Sequence, residues 1–439
     1  MNKLLVVSLL GLSVSIGAAA QSGSPEPTPT PVEVVISDRM PKIKAQITAP
    51  APVTTPTPIV IQSAPRDRWI PGSTSGGPQL PTAQPLAGSG GIVAAAQHAV
   101  SFSQIKRLVA DAKRQMLTKP ITIASVESTA TNLPTDFVRV AFQNSRTRQV
   151  DFVILQKDAF LSTKFDKTST SEGGLPVTVR TIRGNGVNTP VTITDNFGVT
   201  QQALLVQYPV VREGRYMETA YYLSSHPGLV TPEVVNAGRL YVRNVIELAR
   251  ERLREKGMTV QPQVADIAER LSTVEHVDHQ RFRTEPSTNV FNDIFTLYAL
   301  NEGQTYRYSV SSAGAGGMVQ MIPSTYRMVR SRYPQADLMP DFVEGMRNHV
   351  NAAKAMLLYM QWTWNDLMSS PTVAGAVTSG VATPKQLMAA GYNSNPARLA
   401  GYINRGGDNW TGLIPRETKI YLQIYDALEQ AIPLTPRER

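Results

Sequence analysis

No cysteine occurs among the 439 residues of this sequence. That absence excludes disulfides, zinc–thiolate sites, thiol nucleophiles and a lipid-modified cysteine. Long apolar runs are equally scarce. Beyond Leu4 to Ile16, none approaches the length that a membrane-spanning helix needs. Like-charge blocks are missing as well. The formal net charge is +9, yet the basic residues are dispersed along the chain, so a concentrated nucleic-acid footprint is absent. A spread positive balance suits anionic surroundings, for which a carboxylate-rich cell wall is one source.

The N-terminus reads as an export signal. Met1-Asn2-Lys3 is followed by the apolar stretch to Ile16 and then by Gly17-Ala18-Ala19-Ala20 before Gln21. A basic start, a short apolar core and small residues at a cleavage point separate this pattern from an anchor. The expectation is a signal over 1–20 and a mature chain that is periplasmic or secreted, with no stable membrane insertion. From 21 to 94 the chain is rich in Pro, Thr, Ser and Gly ("SPEPTPTP", "APAPVTTPTP"). Such a composition buries too little apolar surface to offset ordering entropy and predicts a disordered linker. One strand-like piece, "VEVVI" at Val32–Ile36, interrupts it.

The folded part divides by periodicity. "SFSQIKRLVADAKRQML" sets Ile105, Leu108, Val109 and Met116 on one helical face, with Ser103 as a possible cap. Runs such as "DFVRVAF", "QVDFVILQ", "PVTVRTI", "VTITD" and "QALLVQYPVV" then alternate with turn chemistry at "GNG", "DNFG" and "REGR". They predict a small antiparallel β domain over 95–228, without a constellation of acids or histidines. Its expected use is binding or scaffolding, with an envelope protein as a possible partner. A connecting helix over 229–261 opens at Thr231 and Pro232 and stops at Gly257. Residues 262–439 are then helical in pattern. The fold class is therefore α+β and multidomain, a β domain followed by a mainly α domain.

Chemistry concentrates in "SSAGAGGMVQMIPSTY", Ser311 to Tyr326. The loop is not a nucleotide fingerprint. After Gly314 and Gly316 the third glycine position holds Val319, and Gly317 is followed by Met318 and Val319 where a P-loop needs Lys and Ser or Thr. Upstream, "NVFNDIFTLYALNEG" places Phe291, Ile294, Phe295 and Tyr298 on one face, with Glu302 continuing that stripe at the last turn. A carboxyl there would be partly desolvated and would sit at the negative end of a helix dipole. Both favour its protonated form and suit a general acid. A solvent-facing acid at a frayed helix end is the alternative. "EHVDHQ" offers His276, Asp278 and His279, without the spacing of a known metal motif. Tyr359, Trp362 and Trp364 read as helix core, one ring being available to a sugar groove.

Counting from Glu302, Ser311 stands at +9, Gly314 and Ala315 at +12 and +13, Gly317 at +15, Gln320 at +18, Pro323 at +21 and Thr325 at +23. Further on come "AAGYNSNPARL", with Tyr392 and Asn393, and "IPRETKIYLQ", with Pro415, Glu417, Thr418 and Tyr421. Together these resemble, in order, three motifs of lytic transglycosylases of the soluble-lytic-transglycosylase type, related in fold to goose-type lysozyme. The resemblance covers the last two-fifths of the chain. It departs at Gly303, where the family has serine, at Met318-Val319 and at Ser394-Asn395.

The resemblance implies a lysozyme-like domain over 262–439 that cleaves the β-1,4 bond between N-acetylmuramic acid and N-acetylglucosamine in peptidoglycan strands. The family leaves a 1,6-anhydro product and needs neither metal nor cofactor. It implies Glu302 as the catalytic acid, with Tyr392 hydrogen-bonding near it. Ser311, Gly314, Ala315, Gly317, Gln320, Tyr392, Asn393 and Glu417 would lie along the glycan, Glu417 as a supporting group rather than a second nucleophile. The small-residue loop would let backbone approach the sugar chain, and Gln320 would offer its amide. Two rivals are a hydrolytic muramidase of the same fold and a non-catalytic wall-binding protein.

Overall fold

Val32–Val34 (β1) pairs antiparallel with Ile43–Ala45 (β2), within the segment expected to be linker. The computed structural model describes residues 32–34, 43–45, 100–119, 121, 134–212 and 214–438. The expected signal over 1–20 and the rest of the Pro-rich segment lie outside the described residues.

The amphipathic stretch after residue 100 forms a helix, Phe102–Thr118 (α1), burying Ile105, Ala112 and Met116. Its cap is Ser101, not Ser103. The Ser101 hydroxyl accepts from the Gln104 amide, and the Gln104 side chain accepts from the Ser101 amide at 2.9 Å. This reciprocal box satisfies two donors that a helix start leaves open.

Seven strands follow: β3 (Phe137–Gln143), β4 (Val150–Gln156), β5 (Lys167–Thr170), β6 (Pro176–Thr181), β7 (Val191–Asp195), β8 (Thr200–Arg212) and β9 (Arg215–Leu223). A short helix α2 (Lys157–Leu161) joins β4 to β5. The sheet order is β4-β3-β8-β7-β6-β5, with β9 also on β8. Every pairing is antiparallel, and the sheet curls into a near-barrel. Side-chain alternation explains its two faces. Val138, Val140 and Phe142 of β3 join an inner cluster with Val153, Val179 and Ile193. Ala141 and Phe152 turn the other way, into a cluster with α1 that Leu204 and Leu205 both join because the β8 register shifts opposite Ala141.

Eleven helices complete the described residues: α3 (Pro232–Arg254), α4 (Pro262–Val274), α5 (His279–Thr284), α6 (Ser287–Asn301), α7 (Pro323–Arg332), α8 (Phe342–Arg347), α9 (His349–Ser369), α10 (Pro371–Thr378), α11 (Pro384–Asn393), α12 (Leu399–Gly406) and α13 (Arg416–Ala431). Thr231 caps α3 by accepting from the Val234 amide, Pro232 occupies its first turn, and Gly257 at φ +74° ends it. α3 is more than a spacer. Val242, Val245, Ile246, Ala249 and Leu253 belong to the main helical core. A Cβ at Gly238 would lie 1.8 Å from the Phe295 carbonyl, so only glycine permits the close crossing of α3 and α6.

The sheet and the helices belong to one compact unit, Val32–Arg439. Asn301, the last residue of α6, pins that helix to the end of β9. Its amide accepts from Leu223 N at 3.0 Å and donates to Leu223 O at 2.8 Å. Arg183, beyond β6, reaches Asp293 of α6 at 3.0 Å, and Arg281 of α5 reaches the same carboxylate at 2.8 Å.

Candidate active site

The loop that follows α6 folds by its own hydrogen bonds. Ser311 N donates to Ala315 O at 2.8 Å, the Ser311 hydroxyl accepts from Ala315 N at 3.0 Å, and Gly316 N donates to Met321 O at 3.1 Å. Gly314 and Gly317 adopt φ +76° and +68°, a left-handed backbone that glycine tolerates best. The two serve different ends. A Cβ at Gly317 would lie 2.4 Å from the Met346 carbonyl, whereas one at Gly314 would meet only Pro323 at 3.7 Å or more.

Ala315 and Gly317 are buried, while Ser311, Gly314 and Gln320 keep some exposure. For Gly317 this corrects the expectation that smallness serves approach to a sugar: the bare Cα seats the loop against Met346 of α8, while Ala315 is turned from solvent. Gln320 also turns inward. Its amide donates to Gly317 O at 2.8 Å and to the Ser309 hydroxyl at 3.3 Å, from a backbone at φ +46°.

The two later motifs close onto this loop. Tyr392, in the last turn of α11, donates its hydroxyl to Val319 O at 2.6 Å. Asn393 beside it accepts from the Thr418 hydroxyl of α13 at 2.8 Å. Tyr359 of α9 meets the Tyr392 ring edge-on with centroids 5.9 Å apart, and its other neighbour is Trp362 at 6.1 Å. Glu417 is exposed at the start of α13. The three motif segments, far apart in sequence, therefore meet in space.

Glu302 stands elsewhere. The apolar stripe of α6 is buried as expected, with Phe291, Ile294, Phe295 and Tyr298 all in the core. The helix nevertheless ends at Asn301, and Glu302 leaves it with φ +38° and ψ −122°. That turn carries its side chain off the stripe, leaving it 51% exposed and paired with Lys106 of α1 at 2.6 Å. The expected desolvation of Glu302 is therefore not found. Nor does Tyr392 bond to it, since the Tyr392 hydroxyl is given to Val319. A non-glycine residue at this φ is strained by about 1–3 kcal/mol. Gly303 is open: a Cβ there would meet nothing within 4 Å, so the serine of the resembled family would fit.

A different carboxyl lies against the closing motif. Glu275 is the first residue beyond α4. It accepts a 2.6 Å hydrogen bond from the Tyr421 hydroxyl. Burial pushes its pKa up to about 8, and the nearby Glu417 charge pushes the same way, against the Tyr421 hydrogen bond. Residue 275 as a whole keeps some exposure, while its carboxyl is buried. Its neighbour His276 bonds through Nε2 to Met318 O at 2.9 Å and stacks on Tyr306, with ring centroids 3.4 Å apart and 3° between planes.

Burial holds the His276 ring down at about 3, so it is neutral and its Nε2–H serves as the donor to that carbonyl. Asp278 caps α5 by accepting from Gln280 N and Arg281 N, each at 2.8 Å. The "EHVDHQ" segment thus spends His276 and Asp278 on structure. Its acid was the informative residue, and no spacing pattern marked it.

Chemically, the arrangement places a carboxyl whose pKa is raised to about 8 beside the three converging segments, with a tyrosine hydroxyl fixing one of its oxygens. No protein-family model, curated protein or solved structure matches this chain.

Proposed function

We propose that this chain is an exported peptidoglycan lytic transglycosylase. The observation that carries the reading is the convergence of its three motif segments through Tyr392 with Val319, Asn393 with Thr418, and Tyr421 with a carboxyl beside them. A protonated carboxyl would give its proton to the glycosidic oxygen as the C1–O bond of the N-acetylmuramic acid breaks. The resulting carboxylate would then take the proton of the same sugar's 6-hydroxyl while O6 bonds to C1. No water is consumed. The substrate's acetamido group would steady the cationic sugar, so a second protein carboxylate is not needed, as in substrate-assisted glycosidases.

The spread net charge of +9 supports work on an anionic wall. Exposed apolar side chains of the β region, Phe197 at 68% in the turn after β7 and Tyr216 at 55% on β9, leave room for an envelope partner.

The test is digestion of purified sacculi with the full chain, followed by mass analysis of the released muropeptides. Products ending in the 1,6-anhydro sugar support the reading. Reducing-end products, one water heavier, move the protein to the hydrolase. One observation favours the non-catalytic reading: Glu302, the acid that the motif register supplies, is half-exposed and ion-paired. Sacculi that bind the chain and release nothing would select that reading.

A further inference from the structure

Resting on that reading, we propose that the proton donor is Glu275, not Glu302. The geometry is the ground for this. Glu275 touches the closing motif through Tyr421, at 2.6 Å. His276, next in sequence, holds the loop motif at Met318 O. Tyr392, which carries the third motif, bonds to the adjoining Val319 O. The closing motif thus bonds to Glu275 itself, the loop motif bonds to the residue next to it, and Tyr392 bonds to the loop one residue further on. Glu302 has none of these links, and its carboxylate faces Lys106 on α1.

Position and protonation also suit Glu275 to the role. A general acid must hold its proton at working pH and release it to the leaving group. Glu275 lies just past the C-terminus of α4, where the helix dipole adds to burial in opposing ionisation. The titratable groups facing it are His276 on its own segment, Tyr298 on α6, Tyr392 on α11, and Glu417 and Tyr421 on α13. His276 is neutral and the three tyrosines are driven upward by burial. Glu417 therefore supplies the main charge felt at Glu275. The proton passes from the Glu275 carboxyl to the glycosidic oxygen as C1–O breaks, and returns to the carboxylate from the 6-hydroxyl as C1–O6 forms.

The alternative is that Glu275 is only a packed acid satisfied by Tyr421. The two are separated by comparing the full-length wild type, Glu275→Gln, Glu302→Gln and Tyr421→Phe. Each is assayed for anhydro-muropeptide release, for pelleting with sacculi and for thermal unfolding. Glu275→Gln is expected to lose about 10²–10⁴-fold in turnover while still pelleting with sacculi. That loss should exceed the loss in Glu302→Gln at least tenfold.

In the wild type, activity should fall on a basic limb near pH 8. Tyr421→Phe removes a hydrogen bond that favours the ionised carboxyl and should move that limb upward. The limb keeps the proposal testable even if Glu275→Gln does not fold: an active wild type with a flat profile between pH 7 and 9 overturns it. An active wild type with a wild-type-like Glu275→Gln and a collapsed Glu302→Gln also overturns it, leaving the proposed function standing. A wild type that pelleted with sacculi and released nothing would defeat both.

Discussion

The Tyr392 hydroxyl and the Val319 carbonyl meet at 2.6 Å across 73 residues of chain. This contact ties the end of α11 to the loop that precedes α7. Val319 is fully buried, so its carbonyl has no water to fall back on. Tyr392→Phe should therefore destabilise the fold by about 1–3 kcal/mol, the usual cost of orphaning a buried acceptor. It should also loosen the loop, weakening glycan binding more than a surface substitution would. Urea unfolding and sacculus pelleting of the same variant check both. An unchanged midpoint would mean that the contact is not made in solution.

Two glycines of the loop should respond differently. Gly317→Ala must both hold φ +68° and relieve a 2.4 Å approach to Met346 O. Gly314→Ala meets only φ +76°, with open space apart from Pro323. The second should cost about 1–2 kcal/mol, the left-handed penalty alone. The first should cost clearly more, because the backbone of α8 must shift as well. Chemical denaturation of the two variants side by side decides the order.

Much of this architecture was legible in the sequence, for physical reasons. Alternating β-branched runs between glycine turns predict antiparallel strands, since each residue's face follows from its parity. The limits of α3 were readable because Thr231, Pro232 and Gly257 act locally on backbone groups. Long-range contacts were not readable. Nothing around Glu302 reveals that Asn301 is clamped to Leu223, 78 residues away, or that the chain then turns at φ +38°. A periodic stripe predicts which side chains a helix buries, but not where tertiary contacts stop that helix. Glu275 was invisible for a similar reason. What encloses it comes from α13, with Tyr421 at 146 residues' separation, and a single acid before a histidine carries no local pattern.

The ion pair of Glu302 with Lys106 should matter little to stability. Both side chains are about half exposed, at 51% and 53%, and water screens such pairs. A double-mutant cycle with Lys106→Ala and Glu302→Gln should return a coupling of about 1 kcal/mol or less, shrinking further as salt is raised. A coupling well above that would show that the pair is more enclosed than its exposure indicates.

The dependence of stability on pH should carry the mark of Glu275. Its folded pKa, about 8, lies above the ordinary 4.5. The fold therefore holds a proton that the unfolded chain has released, and stability falls as pH rises from 4.5 through 8, by at most about 1.4 kcal/mol per pH unit. Three buried histidines act in the opposite sense. Burial holds His226 at about 4, His276 at about 3 and His349 at about 4, against 6.5 when exposed. Each binds its proton only in the unfolded chain between those limits, so stability falls as pH drops below 6.5.

Between 4.5 and 6.5 the histidines prevail by number, at up to about 1.4 kcal/mol per pH unit each. Above 6.5 they are silent and Glu275 remains. Stability should then peak near pH 6.5 and decline gently toward 8. In Glu275→Gln the decline should vanish while the acid side keeps its slope. Unfolding free energies of the two proteins at half-unit steps from pH 5 to 8.5 measure the difference directly. Parallel curves above pH 6.5 would mean that Glu275 is already ionised in the native protein, and the proton assigned to it would not be there to give.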